Sequence, residues 1–176
     1  MGKRHANVVN VEDIAADEQG QGGFGSRRRR LSPDAGGRAL GCSHFELLPG
    51  QTAFPFHWHS SQEESIFILE GSGQMRVGKD TVDVRAGDYI GLPPGPDMAH
   101  ALTNNGSAPL RYLCFSATAT PVSLDIVAYP DSKKVAYACG VDPVKGFRGG
   151  AWLLKIVDDK LPTLGYYDGE TLAEKK

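Results

Sequence analysis

The stretch PGQTAFPFHWHSSQEESIFILEG, residues 49–71, combines a pair of histidines, a glutamate and a strongly apolar segment. His57 and His59 are one residue apart, so on an extended strand both imidazoles point to the same face. A turn then delivers Glu64 at the head of the apolar segment 65–70. A carboxylate at the start of a buried strand needs a partner or a metal, because an unpaired buried charge is costly. The stretch therefore predicts a site where His57, His59 and Glu64 meet.

A second stretch, AGDYIGLPPGPDMAHALTNN at residues 86–105, supplies a third histidine. A turn at 87–88 feeds a short apolar strand, and the prolines and glycine at 93–95 then bend the chain, because proline is excluded from the middle of a sheet. His100 follows between apolar residues. Three histidines and a glutamate in one cavity leave coordination positions open, and open positions admit water or substrate. Neutral imidazole suits Zn, Fe, Ni, Cu and Mn.

The sequence around these stretches predicts one strand after another. The 22 glycines and 11 prolines favour many short strands over long helices in a chain of 176 residues. The predicted strands cover residues 41–48, 65–70, 74–77, 81–84, 89–92, 99–104, 110–116 and 122–127. Strands at this spacing, separated by turn residues, indicate a sandwich or barrel of antiparallel strands.

The two ends of the chain differ from this middle part. Residues 1–38 are predicted to form an N-terminal arm, because the sequence there is largely polar and glycine-rich and can bury little. Four arginines at 27–30 suggest either a nucleic-acid patch or an extended arm whose arginines alternate between solvent and a partner's carboxylates; the overall acidity favours the second. Residues 129–176 are predicted to pack on a barrel of residues 39–128, with a strand at 133–139 and a charged tail. The apolar segment 151–157 between them is either a strand or a helix, and its Trp, Ile and Val favour a strand.

Composition narrows the classes of function. A net charge of −2 with neutral histidines and a pI of about 6.2 give no reason to expect nucleic acid or an anionic membrane as a partner. No apolar run approaches the roughly 18 residues needed to cross a bilayer, and the N-terminal sequence lacks the apolar core of a secretory signal. Three widely spaced cysteines argue against a disulfide framework. We expect a cytoplasmic protein with reduced thiols.

The two histidine-bearing stretches together resemble the two sequence motifs of the cupin superfamily. The residues that match the first motif are Gly50, His57, His59, Glu64 and Gly71. The residues that match the second are Gly87, Pro93, Gly95, His100 and Asn104. The chain departs from the usual pattern by one extra residue before His57 and two extra residues before His100. The distance to Gly71 favours Glu64 over its neighbour Glu63 as the acidic ligand.

This resemblance implies an all-β fold, a double-stranded β-helix or jelly-roll barrel of the cupin type, with the N-terminal arm outside it. It also implies that one divalent metal ion, of Fe, Mn, Zn or Ni, sits inside the barrel on His57, His59, Glu64 and His100. A small single-domain cupin resembles proteins that form dimers, so a homodimer is expected, with the arm crossing to the other barrel.

Several functions are compatible with such a site. The first is a metalloenzyme acting on a small molecule, either a dioxygenase-like oxidoreductase or a Lewis-acid isomerase or lyase. Tyr112 is a candidate catalytic residue for proton transfer. The alternatives are a non-catalytic module that binds a small molecule or the metal, a metal held only for stability, and a scaffold within a dimer, because fold does not fix function.

Side-chain parity predicts the lining of the cavity. If Glu64 faces inward, Ile66 and Ile68 face inward and Phe67 faces outward. Tyr112 and Cys114 share one face of their strand, and the sequence leaves open whether that face is the inner one. A mostly apolar cavity with one metal suits a small organic acid or an aromatic compound.

Overall fold

The fold is built almost entirely from antiparallel strands. A computed structural model describes residues 4–118, 124–139 and 153–160. Its strands are β1 (Asp17–Gln21), β2 (Phe24–Arg30), β3 (Leu40–Leu47), β4 (Trp58–His59), β5 (Gln62–Glu70), β6 (Ser72–Val77), β7 (Asp80–Arg85), β8 (Tyr89–Leu92), β9 (His100–Thr103), β10 (Leu110–Thr118), β11 (Leu124–Tyr129), β12 (Lys134–Cys139) and β13 (Leu153–Asp158). The helical segments in the described ranges are one-turn pieces, at Val11–Asp13, Leu31–Asp34 (α1) and Pro96–Met98. This architecture confirms the predicted all-β double-stranded β-helix.

The strands form three sheets that roll around one interior. The largest has the order β1-β2-β3-β10-β5-β8, and the others have the orders β7-β6-β9 and β13-β12-β11-β4. Strands distant in sequence become neighbours, so β10 lies between β3 and β5. The predicted strand at 89–92 coincides with β8, whereas β5 begins three residues earlier than predicted and already contains Glu64.

The interior is lined by alternate residues of the large sheet. Phe45 on β3, Tyr112 on β10 and Ile68 on β5 lie opposite one another in register, and all three are buried. Ile66 is also buried, whereas Phe67 is 37% exposed, which confirms the predicted parity of this strand. The inner face of β10 is therefore the one that carries Tyr112 and Cys114. The core continues around the barrel through Leu47, Met75, Val84, Leu92, Leu102 and Leu110.

Gly71, the closing glycine of the first motif, makes the turn between β5 and β6. Its φ of +83° lies in the left-handed region that side chains disfavour. A Cβ atom at this position would lie 2.6 Å from the carbonyl oxygen of Pro109. The residue must therefore be glycine both for its backbone angle and for its contact with the neighbouring loop.

The predicted N-terminal arm contributes two strands to the large sheet. β1 pairs with β2, and β2 pairs with β3. The arginines of β2 alternate between the two faces of the strand, and the carboxylates that they contact belong to the same chain rather than to a partner. Arg27 contacts Glu18 and Glu46, and Arg30 lies 3.5 Å from Asp17. These strands were not predicted, because glycines and arginines do not show the apolar alternation of a half-buried strand.

Glu46 on β3 links two arginines on the outer face of the large sheet. Its carboxylate accepts hydrogen bonds from Arg27 at 3.2 Å and from Arg111 at 2.7 Å. The bond from Arg111 is the main cause that lowers the pKa of Glu46, and burial works against it. A lowered folded-state pKa means that the charged pair stabilises the fold above the ordinary pKa of glutamate, and that this stability is lost as the pH falls through the lowered value.

We therefore expect Glu46→Gln to lower the free energy of unfolding at pH 7 by about 1 kcal/mol, because water screens the partly exposed arginines. The difference from the unmodified protein should stay constant from pH 7 to about 4.5 and then shrink as the pH falls through the lowered pKa of Glu46. Urea denaturation over this range measures it. Glu70→Gln is the matched control, since Glu70 also contacts Arg111 but is largely exposed. A difference that does not depend on pH would contradict the assignment.

The C-terminal part of the described chain extends the sheet that carries β4. β12 pairs with both β11 and β13. β12 confirms the strand predicted at 133–139, and β13 shows that the described part of the apolar segment, residues 153–157, is a strand. The predicted charged tail falls outside the described residues.

Candidate metal centre

Backbone pairing brings the two sequence motifs together. The amide of His57 donates to the carbonyl of His100 at 3.1 Å, and the amide of His100 donates to the carbonyl of His57 at 2.8 Å. This bridge places the two imidazole rings 4.6 Å apart between centroids. His57 precedes β4, so within the segment 57–59 only Trp58 and His59 belong to a strand.

Four side chains converge inside the barrel next to this bridge. His57, His59 and Glu64 each offer a ligand atom, and these three atoms all lie within 4.8 Å of one another. The Nε2 atom of His100 lies 3.4 Å from the Glu64 carboxylate, and that of His59 lies 3.7 Å from it. The group of His57, His59 and Glu64 has the geometry to hold a metal ion, and His100 lies at its edge.

Each histidine is held by a hydrogen bond at its other ring nitrogen. Nδ1 of His57 donates to the carbonyl of Pro55 at 2.8 Å, and Nδ1 of His100 donates to the carbonyl of Met98 at 2.9 Å. Since a carbonyl oxygen only accepts, the proton of each neutral ring sits on Nδ1. The Nε2 lone pair is then free to coordinate a cation, because the acceptor at Nδ1 fixes both the tautomer and the orientation of the ring.

The third histidine is fixed by Asp125, a residue that the sequence analysis missed. Asp125 is fully buried on β11, and its carboxylate lies 2.5 Å from Nδ1 of His59. The same carboxylate accepts hydrogen bonds from the backbone amides of Ser60 and Ser61, both at 3.1 Å. One signal pointed to it, since a lone aspartate between apolar Leu124 and Ile126 is unusual in a strand.

The charges of the cluster suit metal coordination. Burial alone raises the pKa of Glu64, but the neighbouring His59 and His100 lower it to about 2. Burial, reinforced by the neighbouring histidines, lowers the pKa of His57 to about 4. Burial by itself lowers the pKa of His59, but the carboxylates of Glu64 and Asp125 outweigh burial, so the pKa of His59 is raised. At neutral pH the carboxylate is therefore anionic and His57 is neutral, as metal ligands must be.

The donor set fits the divalent metals expected from the sequence. Imidazole nitrogen and carboxylate oxygen are ligands that Mn, Fe, Ni and Zn share, so the residues do not select one of them. Glu63 is exposed on the opposite face of β5, away from the histidines. His44 is buried on β3 outside the cluster, and His5 is exposed near the N-terminus.

Tyr112 forms part of the inner wall. Its ring stacks on Phe45, with 5.1 Å between centroids and 7° between planes, and the residue is only 2% exposed. Burial raises the pKa of its hydroxyl well above the ordinary value, and Cys114 and Glu64 add to the effect. Burial similarly raises the pKa of the Cys114 thiol, so this cysteine is a neutral wall residue rather than a nucleophile. All three cysteines are free thiols.

The rolled antiparallel sheets and the histidine cluster at their centre define a small cupin-domain protein. Residues 43–116 match the family described as Cupin domain. Over 88 residues the chain is 30% identical to the tetracenomycin polyketide synthase protein TcmJ of Streptomyces glaucescens, a match that covers 49% of the chain. The chain spans 54% and 57% of the length of two curated relatives that it matches.

Solved structures extend the fold beyond the matched domain. A putative sugar phosphate isomerase from Acidithiobacillus ferrooxidans superposes with a TM-score of 0.73 over 91% of this chain and 97% of that one, at 21% identity, which is evidence for the fold alone. The polyketide cyclase RemF from Streptomyces resistomycificus superposes with a TM-score of 0.54 over 66% of this chain and 80% of that one, at 26% identity. Among the described residues, no helix has the length and apolar character of a membrane span.

Proposed function

We propose that this chain is a metal-dependent cupin enzyme that acts on a small organic molecule. One divalent ion would bind to His57, His59, Glu64 and His100. The observation that carries the proposal is the fixed orientation of the three histidines, each tied at Nδ1 to an acceptor, with Nε2 of His59 and of His100 turned toward Glu64 and a ligand atom of His57 within 4.8 Å of both His59 and Glu64. Such ties hold ligands in a single tautomer and orientation before the ion arrives.

Glu64, Asp125 and Tyr112 have different roles in the proposed site. Glu64 supplies the one negative charge among the proposed ligands, and Asp125 increases the basicity of His59 through their hydrogen bond. A divalent ion held by this set supplies Lewis acidity toward an oxygen atom of the substrate. Tyr112 keeps its proton at neutral pH because its pKa is raised, so its hydroxyl is suited to donate a hydrogen bond to a substrate oxygen.

Lewis-acid chemistry on a carbonyl compound is the reaction class that we favour. The support is the likeness to TcmJ, named as a polyketide synthase protein, and to RemF, named as a polyketide cyclase. Polyketides carry repeated carbonyl groups, and a cation polarises such groups. Dioxygenase-like oxidation and a non-catalytic binding role are the competing outcomes.

Metal analysis combined with turnover assays tests the proposal. Protein purified without added metal should contain close to one divalent ion per chain by mass spectrometry. The loaded protein should rearrange or cyclise 1,3-dicarbonyl compounds without consuming oxygen, and Tyr112→Phe should slow this reaction while retaining the metal. Oxygen uptake would instead indicate oxidation, and tight metal binding without turnover would indicate a binding module.

Asp125→Asn should weaken metal binding by roughly 10- to 100-fold, because the neutral amide no longer stabilises the Nδ1 proton of His59. Titration calorimetry with Mn²⁺ or Zn²⁺ measures the change. Asp131→Asn is the matched control, since Asp131 is exposed and contacts Arg76 rather than a histidine. Equal metal affinities for Asp125→Asn and the unmodified protein would show that the contact serves only to join β4 to β11.

A further inference from the structure

Arg28 on the N-terminal strand β2 lies on the inner face of the large sheet rather than on its outer surface. Arg28 on β2 lies opposite Phe45 on β3, in the same row of the sheet as Tyr112 and Ile68. Those three residues form the buried inner wall. Arg28 therefore shares their face, whereas its neighbour Arg27 faces outward to Glu18 and Glu46.

The side chain of Arg28 leans toward the metal centre. Its Nε atom donates to the hydroxyl of Ser43 at 3.0 Å, and its guanidinium lies over the Phe45 ring at 5.3 Å. Ser43 belongs to the next row of the inner face, with Cys114 and Ile66, and the row after that contains Glu64. The guanidinium thus extends from the Phe45 row in the direction of Glu64.

Arg28 is a permanent charge in a partly buried place. Burial and the neighbouring Arg30 lower its pKa, while Cys114, Glu64 and Asp17 oppose this shift. Arg27 and Arg30, which lie on the same strand as Arg28, form salt bridges with carboxylates of β1 and β3. Within the described ranges Arg28 forms no salt bridge. A guanidinium has five N–H donors, and a neutral serine hydroxyl uses one of them.

The charge balance indicates what completes this arrangement. Asp17, the cross-strand neighbour of Arg28, is matched by Arg30, which lies 3.5 Å from it. A divalent ion would be matched by the carboxylates of Glu64 and Asp125, so a loaded site leaves the Arg28 charge uncompensated. A buried charge without a counter-charge is unfavourable. A ligand with one negative charge restores the balance, and a planar carboxylate fits the guanidinium fork with two parallel hydrogen bonds.

We propose that Arg28 is the anion-binding residue of the barrel, which holds the carboxylate of a small monoanionic organic acid opposite the metal ligands. The N-terminal strand β2 is then part of the substrate site. The apolar wall of Phe45, Tyr112 and Ile68 would receive the uncharged part of the same molecule. This inference deepens the proposed function and rests on it for the metal, but not for the contact with Arg28.

Binding of benzoate, with benzamide and phenyl phosphate as comparisons, tests the proposal in the full chain. Calorimetry on the metal-loaded protein should show that benzoate binds roughly 10- to 100-fold more tightly than benzamide and phenyl phosphate. Arg28→Gln should abolish the preference for benzoate over benzamide, and Arg28→Lys should retain part of it because lysine keeps the charge without the fork. Arg27→Gln, on the outer face of the same strand, should behave as the unmodified protein.

A second readout separates this proposal from the metal proposal. The Nε–H resonance of Arg28, assigned by its loss in Arg28→Lys, should shift on benzoate addition, and more strongly in the metal-loaded protein than without metal, where Glu64 balances part of the Arg28 charge. Metal affinity should change less than about twofold in Arg28→Gln, because the residue is not a ligand. The proposal would be overturned if Arg28→Gln still preferred benzoate to benzamide. It would also be overturned if the unmodified protein bound benzoate and benzamide equally, bound neither, or bound phenyl phosphate more tightly than benzoate. If the protein bound no metal but still bound benzoate in a way that depends on Arg28, only the proposed function would be overturned.

Discussion

Glu64→Gln should weaken the binding of Mn²⁺ or Zn²⁺ by roughly 100-fold or more, because it removes the one charged ligand of the proposed set. The glutamine keeps the shape of the side chain, so the packing of β5 against β10 should be preserved. Calorimetric titration of the purified, metal-stripped protein measures the affinity. Circular dichroism of the same samples checks that the variant is folded.

Glu63→Gln is the control for this result. Glu63 is the adjacent glutamate on the same strand, it is exposed, and it faces away from the histidines. Its replacement removes the same charge from the chain and should change the metal affinity less than about threefold, since a distant exposed charge is screened by water. Similar losses in the two variants would mean that overall charge, rather than coordination, determines the affinity.

Asn104→Ala should lower the free energy of unfolding by about 3 kcal/mol. Asn104 is fully buried, and its amide nitrogen donates to the carbonyls of Leu47 at 2.8 Å and Ala108 at 2.9 Å. Its amide oxygen accepts from the backbone of Gly106 at 3.0 Å. The alanine variant therefore leaves buried backbone groups without their hydrogen bonds. Urea denaturation at pH 7 measures the loss.

Asn105→Ala is the matched control, because the next residue in the same turn is exposed. Its replacement should change the free energy of unfolding by less than about 0.5 kcal/mol. Metal affinity should be retained in folded Asn104→Ala, since the residue contacts loops rather than ligands. A stable Asn104→Ala variant with impaired ligand binding would instead assign Asn104 to the substrate site.

The sequence predicted those parts of the fold in which a local pattern and the three-dimensional structure agree. The apolar segment at 65–70 alternates around Phe67, and its buried face is the one that parity predicted. The hairpin of β6 and β7 follows from the glycine-containing turn between two short strands. The metal cluster followed from motif spacing, with His57, His59 and Glu64 meeting as expected and His100 beside them.

The features that escaped prediction depend on contacts between distant parts of the chain. Asp125 meets His59 across 66 positions, a pairing that no local pattern reveals. β2 is a strand because its backbone pairs with β3 and its arginines find carboxylates there, although its composition resembles a loop. Arg28 lies on the inner face because of the register in which β2 pairs with β3. A run of four arginines does not specify that register. The expected homodimer and the cytoplasmic location stay predictions.

Anomalous diffraction from crystals of the full chain grown with Zn²⁺ tests the central claim most directly. The metal cluster predicts one strong peak inside the barrel, about 2.0–2.2 Å from Nε2 of His57, His59 and His100 and from a carboxylate oxygen of Glu64. The claim would be contradicted if zinc were found only at surface carboxylates. It would also be contradicted if a zinc ion lay inside the barrel but one of the three imidazoles pointed away from it.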